Sequence, residues 1–215
     1  MRSISIRNLY DKKYKTFKLE GLWAGVMGEP TRNGIWIIYG NDKNGKTSFA
    51  LRIANLLSQF EKVLYISAEE GTDKEFQNAA KRAGIAVNNK QINVAEYLTV
   101  EEIKDKIRHK KGANVVIIDN TTIYAEDFKG GVLKDLKNEF PNKLFIYLSH
   151  EDAGEPSNAL GKLAKRLAKI IIHVQGLTAD ISGRCPGGTI AIDEQTAQLM
   201  WGVDVIKNQE LKINN

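Results

Sequence analysis

Gly40-Asn41-Asp42-Lys43-Asn44-Gly45-Lys46-Thr47 follows the apolar run Ile35-Trp36-Ile37-Ile38-Tyr39 and precedes a helical pattern. The eight residues satisfy GxxxxGK[ST], a phosphate-binding loop that works only as a strand, a tight loop and a helix N-terminus in succession. Gly40 and Gly45 allow backbone angles and a close approach that a side chain would block, so successive amide N–H groups can turn onto phosphate oxygens. Lys46 then reaches the β- and γ-phosphates. Thr47 offers a hydroxyl to Mg²⁺, and the helix points its positive end at the anion. The expected nucleotide-binding set is Gly40, Asn41, Asp42, Lys43, Asn44, Gly45, Lys46, Thr47 and Ser48, and the expected ligand is a nucleoside triphosphate.

Outward from the loop, Phe49, Ile53, Leu56, Leu57 and Phe60 recur at helical spacing, which predicts a helix over 46–60. Val63-Leu64-Tyr65-Ile66-Ser67 reads as a strand, residues 74–83 as a helix ended by Gly84, and 91–95 as an edge strand. Thr99 and Glu102 form a capping box that opens a helix carrying Ile103 and Ile107 and ending near Gly112. Val115-Val116-Ile117-Ile118-Asp119 and Leu144-Phe145-Ile146-Tyr147-Leu148 are continuous apolar runs, as expected of strands buried on both faces. Between them lies a helix with Val132, Leu133, Leu136 and Phe140. A helix over 157–168 leads into Ile170-Ile171-Ile172-His173-Val174, and the chain closes with a hairpin of 189–193 and 198–201. Strands alternating with helices predict an α/β fold with a mainly parallel sheet covered on both sides.

The 215 residues suit one domain: an N-terminal extension, 1–33, packed on a core of 34–215. Charged residues make up 27% and hydrophobic ones 42%, ordinary values for a globular chain. The apolar runs are too short to cross a bilayer and the first residues lack a signal-peptide core, which predicts a cytoplasmic protein without a membrane segment. A single cysteine, Cys185, excludes an internal disulfide framework and a cysteine-based zinc cluster. Three histidines set far apart without an HExxH motif give no zinc site. The formal charge of +5 admits a polyanionic partner, although solvated helix faces account for it as well.

Asp119 ends a strand at the carboxyl edge of the sheet, where ligands of open α/β folds bind, and is the expected Mg²⁺-positioning acid alongside Thr47. Glu69 and Glu70 follow the strand that ends at Ser67. One of them can orient and deprotonate the attacking water, Glu69 being the first choice. His150, with Ser149, ends the strand beginning at Leu144, where it can sense the γ-phosphate and relay its presence to residues 151–157; a histidine bonded to backbone is the alternative. His109 reads as a solvated helix end and His173 as structural. Arg184, on the turn Ser182-Gly183-Arg184-Cys185-Pro186-Gly187-Gly188, reads equally as a surface residue or as an arginine that reaches a phosphate in a neighbouring subunit.

Together these motifs resemble the RecA-like ATPases, the group that includes RecA and RadA recombinases, DnaB-type helicases and KaiC. Gly28-Glu29-Pro30 with Gly34 resembles the family's lead-in to the phosphate loop, and Leu64-Tyr65-Ile66-Ser67-Ala68-Glu69-Glu70 the strand with its catalytic glutamate. Val115 to Asp119 resembles Walker B, and Leu148-Ser149-His150 falls where the family places a polar sensor. Gly183 to Gly188 before an Ile-Ala-Ile strand is similar to the helicase segment with a trans-acting arginine.

The resemblance implies a sheet of order 5-1-4-3-2, with a strand inserted between the phosphate-loop and Walker B strands. It also implies ATP and Mg²⁺ as cofactors, hydrolysis at the subunit interfaces of a homo-oligomeric ring or filament, and single-stranded DNA as a partner in replication, recombination or repair. Two positions depart from the pattern. Ser182 stands where helicase relatives carry lysine, and 151–157 is acidic without a basic cluster. Lys162, Lys165, Arg166 and Lys169 could supply positive charge instead, or form a solvated helix face. A KaiC-like regulatory module with slow turnover is the alternative function. A small-molecule kinase is disfavoured because 130–158 carries no arginine-rich lid.

Overall fold

The computed structural model describes residues 3–193. The chain begins with α1 (Ile6–Tyr10), capped by the Ser5 side chain, in which no residue is buried, and α2 (Gly21–Met27). Phe17 and Leu19, between the two helices, and Val26 and Met27, in the last turn of α2, enter the core. β1 (Gly34–Gly40), buried along its whole length, feeds the loop, and α3 (Lys46–Ser58) follows. Then come β2 (Val63–Ser67), α4 (Lys74–Arg82) with Asp73 as N-cap, and β3 (Ile92–Ala95). The Thr99–Glu102 capping box opens α5 (Val100–Arg108), which stops four residues before Gly112. β4 (Val115–Asp119), α6 (Val132–Glu139), β5 (Leu144–Asp152), the short β6 (Glu155–Pro156), α7 (Ala159–Leu167) and β7 (Ile170–Gln175) complete the alternating part.

The sheet order is β3-β2-β4-β5-β1-β7-β8-β9, where β8 (Thr178–Gly183) and β9 (Gly188–Ala191) are antiparallel additions and β6 pairs with the end of β5. β1, β2, β4, β5 and β7, numbered among themselves, run 5-1-4-3-2. β5 is therefore the strand inserted between β1 and β4. β3 at one edge and the antiparallel strands at the other extend that pattern.

Strand alternation divides the core into two layers. Trp36, Ile38, Tyr65, Ile117 and Ile146 face α3 and the N-terminal residues Phe17 and Met27, whereas Ile35, Ile37, Ile66, Ile118 and Tyr147 face α5, α6 and α7. β1, β2, β4 and β5 carry continuous apolar runs up to their carboxyl ends because both faces are covered.

One expectation, a closing hairpin of 189–193 with 198–201, falls partly outside the described residues: 198–201 lies beyond them, and within them β9 pairs with β8. The sequence concealed β8 because Asp180 and Ser182 occupy its solvent side and its apolar side shows only at Ala179 and Ile181 before Gly183. A second expectation needs correction: four basic residues do not share one face of α7. Lys165 lies over the Tyr39 ring and bonds Glu155, and Lys169, beyond the helix, donates to Thr31 and Asn33. Lys162 and Arg166 alone stay exposed.

Candidate active site

Register brings the loop and the acids to one edge. In the parallel pairings Gly40 sits beside His150 on β5, and Ser67 sits beside Asp119 on β4, so the carboxyl ends of β1, β2, β4 and β5 converge. A Cβ on Gly40 would stand 2.0 Å from the Val174 carbonyl oxygen of β7, so the first loop glycine is dictated by the neighbouring strand. Gly45, at φ +94°, caps α3 in the left-handed region, and a side chain there would also press on Leu177.

Lys46 is 9% exposed and folds back along the loop, its Nζ donating to the Asn41 carbonyl at 2.8 Å and meeting Asp42 Oδ1 at 3.5 Å. Thr47, one residue on, donates to Asp119 Oδ2 at 3.4 Å across 72 positions of sequence. Asp119 is 4% exposed and accepts a second hydrogen bond, 2.8 Å long, from the buried Tyr65 hydroxyl. Glu69 accepts from Asn120 Nδ2, whose other hydrogen faces His150 Nε2 at 2.8 Å. With His150 accepting there, its Nδ1–H turns to Asp42 Oδ1 on the phosphate loop. Lys46, Thr47, Glu69, Glu70, Asp119 and His150 thus border one cavity of about 510 Å³.

The electrostatics of this cavity are unbalanced. Burial pushes the Asp119 carboxyl up to about 7, against the Tyr65 hydrogen bond, and the nearby Glu70 and Glu69 carboxylates add to the rise. Glu70 is raised by burial and then by Glu69 and Asp73, while Thr47 and Lys46 oppose. Burial lifts Asp42, but His150 and Lys46 outweigh it and hold the carboxyl below the usual range. One wall therefore offers a lysine and loop amides to an anion. The other gathers carboxylates and a hydroxyl that a divalent cation would neutralise. The donor set fits Mg²⁺ held between Thr47, Asp119 and phosphate oxygens.

Lys46, Thr47, Glu69, His150 and Asp119 come together as the sequence suggested. Arg184 does not join them within the chain: it is exposed beyond β8, its N–H bonding the Lys169 carbonyl just before β7, at the amino edge of the sheet. Two contributors were not read from the sequence. Tyr65 looked like a core residue of an apolar strand, and it does pack on Phe76 with ring centroids 5.3 Å apart. Asn120 looked like a turn residue, yet it is 1% exposed. Its only signal was a polar residue directly after the strand acid.

Beyond Asn120 the polar contacts continue. Thr121 Oγ1 donates to Ser149 Oγ at 3.0 Å, and Asn158, the N-cap of α7, donates to Thr121. Gly161 of α7 leaves no space for a Cβ, which would lie 2.5 Å from Ser149 Oγ. Residues 151–157, expected as a loop, form instead the β5–β6 hairpin, turning at Ala153 and Gly154 with positive φ and tied down by Glu151–His173 and Glu155–Lys165 pairs.

No family model matches the chain. Over 112 residues it is 29% identical to the DNA repair protein RadA of Aquifex aeolicus, a stretch amounting to 52% of this chain and 24% of that protein. The match thus spans about a quarter of RadA's length. Among solved structures, a KaiC-like protein of Pyrococcus horikoshii superposes with a TM-score of 0.58 at 16% identity, covering 80% of this chain and 89% of the other. The flagellar accessory protein FlaH of Methanocaldococcus jannaschii gives 0.59 at 17%, covering 84% and 96%. The chain thus has the RecA-like fold. No helix among the described residues is long and apolar enough to cross a membrane.

Proposed function

We propose that this chain binds ATP at residues 40–48 and hydrolyses it with Mg²⁺, as a RecA-like ATPase acting on single-stranded DNA in replication, recombination or repair. The observation that carries the reading is the meeting of Thr47 and Asp119 at 3.4 Å beside a buried lysine and two glutamates that border the same cavity. Lys46 exchanges its Asn41 and Asp42 contacts for phosphate oxygens. Thr47 and Asp119 hold the cation, with Tyr65 fixing the carboxylate. Bound Mg²⁺ supplies charge neutralisation for the phosphoryl group in flight. Glu69, steered by Asn120, orients the attacking water. His150 links the loop at Asp42 to Asn120, from which the Thr121, Ser149 and Asn158 contacts lead to α7, a route by which a γ-phosphate could be sensed.

In this reading residues 34–215 are the ATPase domain and 1–33 an extension packed on it. The protein assembles as a homo-oligomeric ring or filament in the cytoplasm, and Arg184 acts on a neighbouring subunit's phosphate. The similarity to RadA, a DNA repair protein, supports the DNA-related part. A second reading, a KaiC-like module that turns over slowly to control assembly, is favoured by the ordered acidic hairpin after β5, which offers DNA no cation.

The test is ATP turnover with and without single-stranded DNA, together with the mass in solution with a non-hydrolysable ATP analogue. Turnover lost in Lys46→Ala and stimulated many-fold by DNA is expected. Turnover at the parent rate in Lys46→Ala overturns the site assignment, and slow turnover indifferent to DNA selects the second reading.

A further inference from the structure

The amino edge of the sheet carries a feature that hydrolysis does not use. Arg32 and Asn33 precede β1, Lys62 precedes β2, Asn114 precedes β4 and Asn142 precedes β5, so the ends of four adjacent strands line up over about 15 Å. Two open clefts lie along this edge. One, of about 400 Å³, is walled by Lys12, Lys13, Tyr14, Lys15 and Arg32; the other, of about 360 Å³, by Lys62, Lys110 and Lys111. They share Glu61 and Asn114, which makes them one trough.

Among the described residues lining it, seven are cations and one, Glu61, is an acid. That acid is already engaged, by Arg32 at 3.0 Å and by Asn114 at 2.6 Å. The trough has a formal charge of +6 in a chain whose total is +5, so everything else sums to −1. The basic character noted in the sequence is therefore concentrated on one edge. Negative helix C-termini account for Lys62 after α3 and for Lys110 and Lys111 after α5. Lys12 and Lys13 follow the five-residue α1 in the same way, but Lys15 follows no helix, and one exposed segment presents all three to the same trough.

Aromatic rings accompany the charge. Tyr14 is 55% exposed with Lys12 Nζ 5.3 Å from its ring centroid, and Tyr10, 81% exposed, stands next to this segment. A positive track with exposed rings is the pattern that holds a single strand, phosphates on the lysines and bases on the rings. An acidic peptide or a lipid headgroup would use the charge and leave the rings idle.

We propose that this trough binds single-stranded nucleic acid, on the edge of the sheet opposite the phosphate loop. The inference rests on the nucleic-acid part of the proposed function, not on hydrolysis. The strand would thus lie about 20 Å from the loop, the length of β1, with the sheet between them.

The test is fluorescence anisotropy of a labelled oligothymidine over a series of salt concentrations, with ATP turnover measured on the same preparations. Replacing the exposed Lys12, Lys13 and Lys15 by Ala should weaken binding about ten-fold or more and make the salt slope shallower by about 2. The Lys110→Ala, Lys111→Ala pair should act in the same direction from the other wall. Tyr14→Ala should weaken the single strand about ten-fold and leave a duplex of equal length unaffected. Parent affinity and salt slope in the triple variant overturn the proposal, as does a parent that binds no oligonucleotide but sediments with anionic phospholipid vesicles. Hydrolysis absent in the parent, with oligonucleotide binding lost in the triple variant, removes the ATPase reading and leaves the trough standing.

Discussion

The two edges of one sheet solve opposite electrostatic problems. At the carboxyl edge, charges of both signs are brought close, partly buried and bonded to each other: Lys46 to Asp42, Thr47 and Tyr65 to Asp119, Asn120 to Glu69. In the trough at the amino edge, seven cations face one acid among the described lining residues and stay largely in water. A buried, mixed set discriminates a ligand's geometry because each unpaired group is costly. A solvated set of one sign attracts any polyanion and depends on salt. The comparison teaches that the strands hold a buried, mixed-charge cavity and an open, cationic trough at opposite edges, which keeps the proposed chemistry and the proposed docking apart.

The largest effect that could break this division is at Glu69. Glu69→Gln should lower ATP turnover by about 10²–10⁴ with nucleotide affinity retained, whereas Glu70→Gln should lower it far less. Single-turnover hydrolysis alongside nucleotide titration checks this, and the reverse ranking would transfer the water-orienting role to Glu70, which faces Thr47.

Asp119→Asn should separate stability from function. Folding raises this carboxyl from the usual range to about 7, so the folded state binds the proton more tightly than the unfolded one. The ligand-free protein should therefore lose stability as pH rises from about 4 through 7, and the variant should lose that dependence. At pH 8 its melting temperature should exceed the parent's by several degrees while Mg²⁺-dependent nucleotide binding is lost. Thermal melts with and without Mg²⁺ and nucleotide read both effects. A lower melting temperature for the variant would mean that Tyr65 and Thr47 more than offset the burial of the charge.

The smallest effect is expected at the amino edge. Glu61→Gln keeps one acceptor oxygen for Arg32, sets an amide N–H against Asn114 Nδ2, and removes the trough's acid. Oligonucleotide binding should tighten about two- to three-fold, with stability changed by no more than about 1 kcal/mol and turnover unaffected. Anisotropy and a melt suffice, and weaker binding would show that Glu61 matters by holding Arg32 in place.

Much of this was legible in the sequence where a local rule had a single solution. The phosphate loop, the Thr99–Glu102 box and the apolar strands each gave their element. The polar residues ending those strands gave the site, because a parallel sheet exposes its carboxyl ends on one edge. β8 was not legible, since its polar side faces solvent and only two apolar positions remain to announce it. Tyr65 was not legible either, because a tyrosine in a buried strand looks the same whether its hydroxyl has a task or not. The four basic residues around α7 misled for a related reason: spacing places side chains on a face but cannot say that Tyr39 and Glu155 will claim one of them.

The sequence by itself determined that a triphosphate loop sits between β1 and α3, and which acids end the strands, because both are fixed by neighbours in the chain. The tertiary structure decided which of those groups meet. Strand register set Gly40 against His150 and Ser67 against Asp119, and strand order assembled the cations of four separate segments into one edge. Electrostatic and hydrogen-bonding interactions fall off over a few ångströms, so distance in space governs them and distance along the chain does not.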